Sequence, residues 1–217
     1  MTKEIGFMPT LLFAISALFL SFVPMVHADD EVVDVEEPQA LVKTATEEML
    51  LALKDNEEQL AEDPSLIYGL VQDILMPNFD FNKMSKLALG KNWRKANTEQ
   101  RERFTEEFRL LLVRTYSTAM LEYTDEEIRF LPFHDDLKKK KVKVKMEILQ
   151  SGGPSIPMAL SMYLNKENAW KVYDVKIDGI SLVTTYRSTF ATEIRNKGMD
   201  KLIKRLSARN EKVKVKV

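Results

Sequence analysis

Beyond its first 28 residues the 217-residue chain holds one histidine, His134, in the loop-like stretch Pro132-Phe133-His134-Asp135-Asp136. Asp135 or Asp136 could orient its imidazole as a general base. A solvated loop histidine accounts for it as well, because no nucleophile accompanies it. The sequence has no Gly-x-Ser-x-Gly elbow, no phosphate-binding loop, no His-rich metal spacing and no cysteine to act as nucleophile or thiolate ligand. The second candidate is Asp174, set among apolar neighbours in Trp170-Lys171-Val172-Tyr173-Asp174-Val175. A carboxylate in a cone-shaped α+β pocket would do acid or base work. An ion pair with Arg187 or Arg195, or exposure on the covered edge of a sheet, fits it too.

Two further patterns suit binding. Lys138 to Lys141, continued at Lys143 and Lys145, make a basic stripe that would attract anionic lipid headgroups or a partner protein, or would simply keep a strand in solution. Methionine is frequent, with 11 in all, and Met146, Met158 and Met162 alternate on segments whose other face is lysine or polar. Unbranched thioethers fill ragged or changeable apolar space. The 32 basic and 33 acidic side chains nearly cancel to −1, so no global field recruits nucleic acid, and charged contacts must be local.

The elements that must position these residues follow from periodicity. Lys3 precedes an apolar run, Leu11 to Val23, and Val26-His27-Ala28 ends in a small residue before acidic Asp29 and Asp30, the pattern of a secretory signal peptide over residues 1–28. Its core is short of the roughly 20 residues that span a bilayer. Residues 29–39 read as an acidic flexible leader, 40–210 as one domain and 211–217 as a Lys/Val tail. Leu41, Ala45, Met49, Ala52, Leu53 and Leu60 share a helical stripe. Asp63-Pro64 opens a second helix through Leu75, Asp80 caps a third that Gly90 ends, and Asn97 with Gln100 forms a capping box for the longest, running to Tyr123. Period 2 then takes over in four segments, Glu127 to Phe133, Lys139 to Gln150, Ile156 to Leu164 and Trp170 to Ile177. They predict an antiparallel meander that ends at Asp178-Gly179. Helical period returns from Leu182 to Ile194 and from Met199 to Leu206.

Two runs, Gly90 to Tyr123 (GKNWRKANTEQRERFTEEFRLLLVRTYSTAMLEY) and Trp170 to Arg187 (WKVYDVKIDGISLVTTYR), with Phe190 and Lys197-Gly198, resemble the MlaC family of phospholipid-binding proteins, also called the toluene-tolerance family. The resemblance extends from about Leu60 to Leu206. It implies an α+β fold, helices packed on a twisted four-stranded antiparallel sheet, related to the NTF2-like architecture and enclosing an apolar lipid cavity. It implies a periplasmic carrier in a Gram-negative bacterium, shuttling phospholipid between outer and inner membranes with bound lipid as cargo and no cofactor. The partners implied are an inner-membrane ABC transporter complex with an MCE-domain subunit, an outer-membrane lipoprotein and porin complex, and a membrane approached transiently. An isomerase or hydrolase of an apolar substrate in the same cone-shaped fold is the alternative. Strand alternation places Val144, Met146, Ile148, Met158, Leu160, Met162, Tyr173 and Val175 on the lining of such a cavity, with Leu112, Tyr116 and Met120 closing it from the long helix.

Overall fold

A computed structural model describes residues 37–121, 126–150 and 152–214. The expected signal peptide, the expected leader up to residue 36, Tyr123 and the last three residues of the expected tail lie outside this range. The described elements are α1 (Pro38–Asp55), α2 (Glu57–Glu62), α3 (Ile67–Leu70), α4 (Phe81–Leu89), α5 (Asn92–Lys95) and α6 (Thr98–Met120), then β1 (Glu127–Phe130), β2 (Lys141–Leu149), β3 (Ile156–Leu164), β4 (Trp170–Ile177) and β5 (Ile180–Ser181), and finally α7 (Thr185–Lys197) and α8 (Met199–Lys214). Among the described residues no helix is long and apolar enough to cross a membrane.

Both ends of the domain extend beyond their expected limits. Pro38 takes the first position of α1, where its missing N–H costs nothing, so Pro38 and Gln39 belong to the helix and not to the leader. At the other end α8 continues to Lys214, into the expected tail. The single helix expected over residues 40–60 breaks at Asn56, whose Nδ2 donates to the Ala52 carbonyl at 2.7 Å. The helix expected from Pro64 to Leu75 is a composite. Asp63 accepts from the Ser65 N–H at 2.9 Å and starts a 3-10 turn, Pro64–Leu66, which leads into α3, a π turn over Val71–Leu75 and a second 3-10 turn, Met76–Asn78. A π turn inserts a residue into the helical phase and re-aims the side chains after it.

The remaining helix boundaries rest on specific caps. Asp80 accepts from the Lys83 N–H at 2.8 Å to begin α4. Gly90 ends that helix at φ 53°, ψ −122°, a backbone that a side chain strains to adopt. The tight approach of α7 adds a steric reason, since Arg187 donates to the Leu87 carbonyl through Nε at 2.9 Å and Nη2 at 2.7 Å. A Cβ on Gly90 would stand 3.3 Å from that Nε. The capping box closes both ways, Asn97 accepting from the Gln100 N–H at 2.8 Å and Gln100 Oε1 from the Asn97 N–H at 3.2 Å. The Gln100 amide also donates to Asp200 at 3.0 Å, tying the start of α6 to α8.

The sheet is an antiparallel meander in the order β1-β2-β3-β4-β5, five strands where four were expected. Asp178 and Gly179, at φ 49° and 76°, do not end it. They make the two-residue turn with positive φ at both positions that matches strand twist, and β5 returns to pair Ile180 with Ile177 and Ser181 with Lys176. A two-residue strand is too short to leave a periodic trace. Lys141, Lys143 and Lys145 are exposed on the outer face, while Val142, Val144 and Met146 are buried on the inner one. Between α6 and α7 lies a dense core in which Phe104, Phe108, Tyr186 and Phe190 meet in stacked and edge-to-face contacts 5.3–5.8 Å apart.

Removing the α6 cap tests this reading. Asn97→Ala is expected to cost about 1 kcal/mol, seen as a lower urea midpoint at unchanged m value, with Asn97→Asp close to wild type.

Candidate functional site

Between the inner face of the sheet and α1, the π turn, α4 and the C-terminal half of α6 lies a cavity of about 410 Å³. Along β3 it extends from Met162 to Ile156, six residue steps or about 20 Å at about 3.3 Å per residue. That exceeds one leaflet's share, about 15 Å, of a bilayer hydrocarbon core. Among the described residues none of those lining it carries a charge, and only Thr46, Asn78, Tyr116 and Ser117 offer a polar side-chain atom. Thr46 is already engaged, donating to the Val42 carbonyl at 2.7 Å. Burial first, and then the neighbouring Tyr186 hydroxyl to which it is hydrogen-bonded, push the Tyr116 phenol up to about 12.

Nine of the eleven residues expected to line a cavity face this one: Leu112, Tyr116, Met120, Met146, Ile148, Met158, Leu160, Met162 and Val175. Met146 stands directly opposite Met158 across β2 and β3. The other two do not line it. Val144 is on the inner face but wholly buried at 0% exposure, packed in one cluster with Val42 of α1. Tyr173 is turned away by a β-bulge. Ser161 pairs with Asp174 and the next residue, Met162, pairs with Val172, so Tyr173 is an extra residue that reverses the parity of β4 and puts Val172 on the lining in its place. The Tyr173 ring packs instead against Tyr163, at 5.9 Å, and beneath the Lys83 ammonium.

The catalytic candidates are occupied elsewhere. Asp174, 8% exposed, does not line the cavity. It accepts from the Ser181 hydroxyl at 2.8 Å and the Val183 N–H at 3.4 Å, fastening β5 and the entry to α7 onto β4. Of its two expected ion partners, Arg187 is spent on the Leu87 carbonyl, and among the described residues neither Arg187 nor Arg195 pairs with it within 4 Å. Asp135 accepts from the Lys143 N–H at 2.6 Å and Asp136 from the Lys138 N–H at 3.0 Å, so both acids beside the exposed His134 hold backbone in place. Among the described residues no cluster of three His, Cys, Asp or Glu is arranged to hold a metal ion.

Sequence reasoning found the part of the helical wall that α6 supplies and missed the rest. Met49 and Leu53 of α1, Leu75 and Met76 around the π turn, and Phe79, Phe81 and Met84 at α4 all line the cavity. Helical periodicity marks these positions as buried without saying whether they meet side chains or space. Methionine itself was the usable signal. Eight methionines follow residue 28, and all but Met199 line the cavity.

A profile of the MlaC protein family matches residues 43–208. The toluene tolerance protein ttg2D of Pseudomonas putida is 32% identical over 164 residues, covering 75% of each chain. The intermembrane phospholipid transport system binding protein MlaC of Haemophilus influenzae is 23% identical over 172 residues, 78% of this chain and 80% of that one. Among solved structures, a phospholipid-binding protein from Ralstonia solanacearum in complex with a phospholipid is similar at a TM-score of 0.73 and 28% identity, covering 81% of this chain and 97% of the other.

Two measurements test the geometry. Asp174→Ala is expected to destabilise the fold by about 1 to 3 kcal/mol, because it strands the Val183 N–H, while Asp174→Asn retains an acceptor and loses less. The phenol of Tyr116 ionises in the fold only near 12, against an ordinary 10, so the folded chain holds the proton longer than the unfolded one. Stability is therefore full below pH 10 and falls between pH 10 and 12. Tyr163, also pushed up to about 12, contributes in the same window. Tyr116→Phe should make the decline of melting temperature over that interval shallower without abolishing it.

Proposed function

The chain belongs to the MlaC family, and from that premise we propose that it is a phospholipid-binding carrier which holds its cargo by the acyl chains. The observation that carries this reading is the lining itself, long, uncharged and built on seven methionines. A two-chain phospholipid has about 30 methylenes, and at about 0.8 kcal/mol each their exposure to water costs on the order of 20 kcal/mol. A protein that offers an apolar interior removes that barrier without chemistry. The volume, in the lower half of the roughly 300 to 1,000 Å³ common for ligand sites, calls for walls that yield when chains enter. Thioether side chains and the π turn supply that compliance.

The compartment that fits is the periplasm of a Gram-negative bacterium, with residues 1–28 as the export signal. The carrier works between outer and inner membranes as the free component of an ABC-type lipid transport system, loading and unloading at an inner-membrane transporter complex with an MCE-domain subunit and at an outer-membrane lipoprotein and porin complex. A passive binder equilibrates two membranes, so net flux comes from the energised partner. The enzyme reading draws no support from the lining, which among the described residues has no carboxylate, lysine or histidine.

Native mass spectrometry of the protein as purified from cells is expected to show bound phospholipid. Met146→Lys puts a charge without a partner into the lining and should abolish that occupancy. Met158→Trp, at a half-buried position, fills space without charge and should reduce it, which keeps the test decisive if the first variant folds poorly. Wild-type occupancy in both folded variants would overturn the assignment. Lipid present at a hundred times its Kd should add about 2.7 kcal/mol of stability, so stripping it is expected to lower the melting temperature by about 5 to 10 °C.

A further inference from the structure

On the outer face of the sheet, away from the cavity, β2 carries Lys141, Lys143 and Lys145, all exposed, while Val142, Val144 and Met146 point to the buried side. At about 3.3 Å per residue the three side chains leave the strand about 6.6 Å apart in one row. The 3-10 turn Leu137–Lys139 and the following Lys140 lead into the strand and add three more exposed lysines. Across the sheet the row meets Tyr163, Ser161 and Ala159 of β3, and beyond Ala159 stands Lys176 of β4, so positive charge continues over the face.

Among the described residues none of the six lysines from Lys138 to Lys145 forms an ion pair within 4 Å. The carboxylates beside them, Asp135 and Asp136, accept from the Lys143 and Lys138 N–H groups, so six positive charges stand against two negative ones. Glu147, the next outward residue of β2, is neutralised by Arg129. Keeping a strand in solution accounts for the three alternating lysines but not for the three that precede the strand. Lys140 is held at φ 50°, ψ 21°, a left-handed backbone that glycine or asparagine adopts with less strain. Only its backbone serves the fold, the N–H donating to the Leu137 carbonyl at 2.9 Å and the carbonyl accepting from the Leu164 N–H at 3.1 Å. Leu137, 40% exposed at the head of the same run, works against solubility. A leucine presented among unpaired ammonium groups suits a surface that is anionic outside and apolar just beneath, whereas an acidic protein segment calls for the charges alone.

We propose that this face docks reversibly on an anionic phospholipid bilayer, with the β2 row and the turn lysines against the headgroup phosphates and Leu137 entering the interface. The inference goes beyond the carrier reading and does not depend on it, because the lysines and the cavity lie on opposite sides of the sheet. Docked in this way the protein keeps its lining turned away from the bilayer, so the contact concentrates it at a membrane without exchanging cargo there. Each lysine close to an anionic surface strengthens such binding about five-fold, and salt screens the attraction beyond about 10 Å at 0.1 M.

The test measures, by sedimentation, partition of the mature chain, residues 29–217, onto vesicles of phosphatidylglycerol and phosphatidylcholine in equal parts and onto phosphatidylcholine alone. The expected result is at least ten-fold stronger binding to the anionic vesicles at about 0.02 M salt, lost at about 0.5 M, where the screening length falls to about 4 Å. Lys141→Gln with Lys143→Gln and Lys145→Gln should lower that binding at least ten-fold. Lys201→Gln with Lys204→Gln and Lys212→Gln, which removes as much charge from exposed positions on α8, should lower it less than two-fold. Leu137→Ser should weaken it at least two-fold with the salt dependence unchanged. Equal binding of the wild type to the two kinds of vesicle, equal losses from the two triple variants, or unchanged binding of Leu137→Ser overturns the docking face and leaves the carrier standing. Capture of a polyglutamate peptide by the wild type but not by the β2 variant, with no vesicle binding, overturns it in favour of an acidic protein partner. The vesicle and salt comparisons need the wild type alone and decide the matter if a variant folds poorly.

Discussion

Holding apolar space open inside a small fold is the constraint to which the other features answer. At about 24 cal/mol per Å³, an unfilled space of 410 Å³ would cost on the order of 10 kcal/mol, comparable to the whole stability of a typical domain. The chain meets this by dividing labour. The aromatic cluster of Phe104, Phe108, Tyr186 and Phe190 packs solidly between α6 and α7 and takes no part in the lining. Stability gathered there can be lent to walls that are deliberately under-packed. Polar fastenings do the rest, Arg187 clamping the end of α4, Asp174 pinning β5, Gln100 joining α6 to α8, all outside the cavity.

Much of this was legible in the residues because the signals are local. Asp63, Asp80 and the Asn97 and Gln100 pair each announce a cap through side chains two or three positions from the N–H they satisfy. The alternation of Val142, Val144, Met146 and Ile148 against lysine marks a strand with one wet face, and the inner face follows from it. Asp178-Gly179 was equally local but was read as an end, since the strand it introduces is only two residues long.

What stayed hidden depends on registry and distance. A bulge leaves no mark in a run such as Trp-Lys-Val-Tyr-Asp-Val, where aromatic and β-branched residues sit comfortably on either face, so Tyr173 and Val172 exchanged places unnoticed. Asp174 looked like a residue in search of a cation because arginines follow it in sequence, yet the nearer hydroxyl of Ser181 meets it first. The composite of 3-10, α and π turns from Pro64 to Asn78 carries a fair helical stripe, and only its packing against α1 and α6 shows where the phase slips.

The seven thioethers have a consequence of another kind. Oxidation turns methionine into a sulfoxide, a side chain of similar length bearing a strong dipole. In this cavity there is almost nothing to satisfy such a dipole, since Thr46 is engaged and the remaining polar atoms are few. With no cysteine in the chain to react in its stead, oxidative damage that reaches the interior falls on the cavity lining, and an oxidant small enough to enter would convert an apolar space into a wettable one. Because methionine sulfoxide is reducible, that loss is reversible wherever a sulfoxide reductase has access. The composition that lets the walls yield therefore also makes the polarity of the cavity answerable to the redox state of its surroundings.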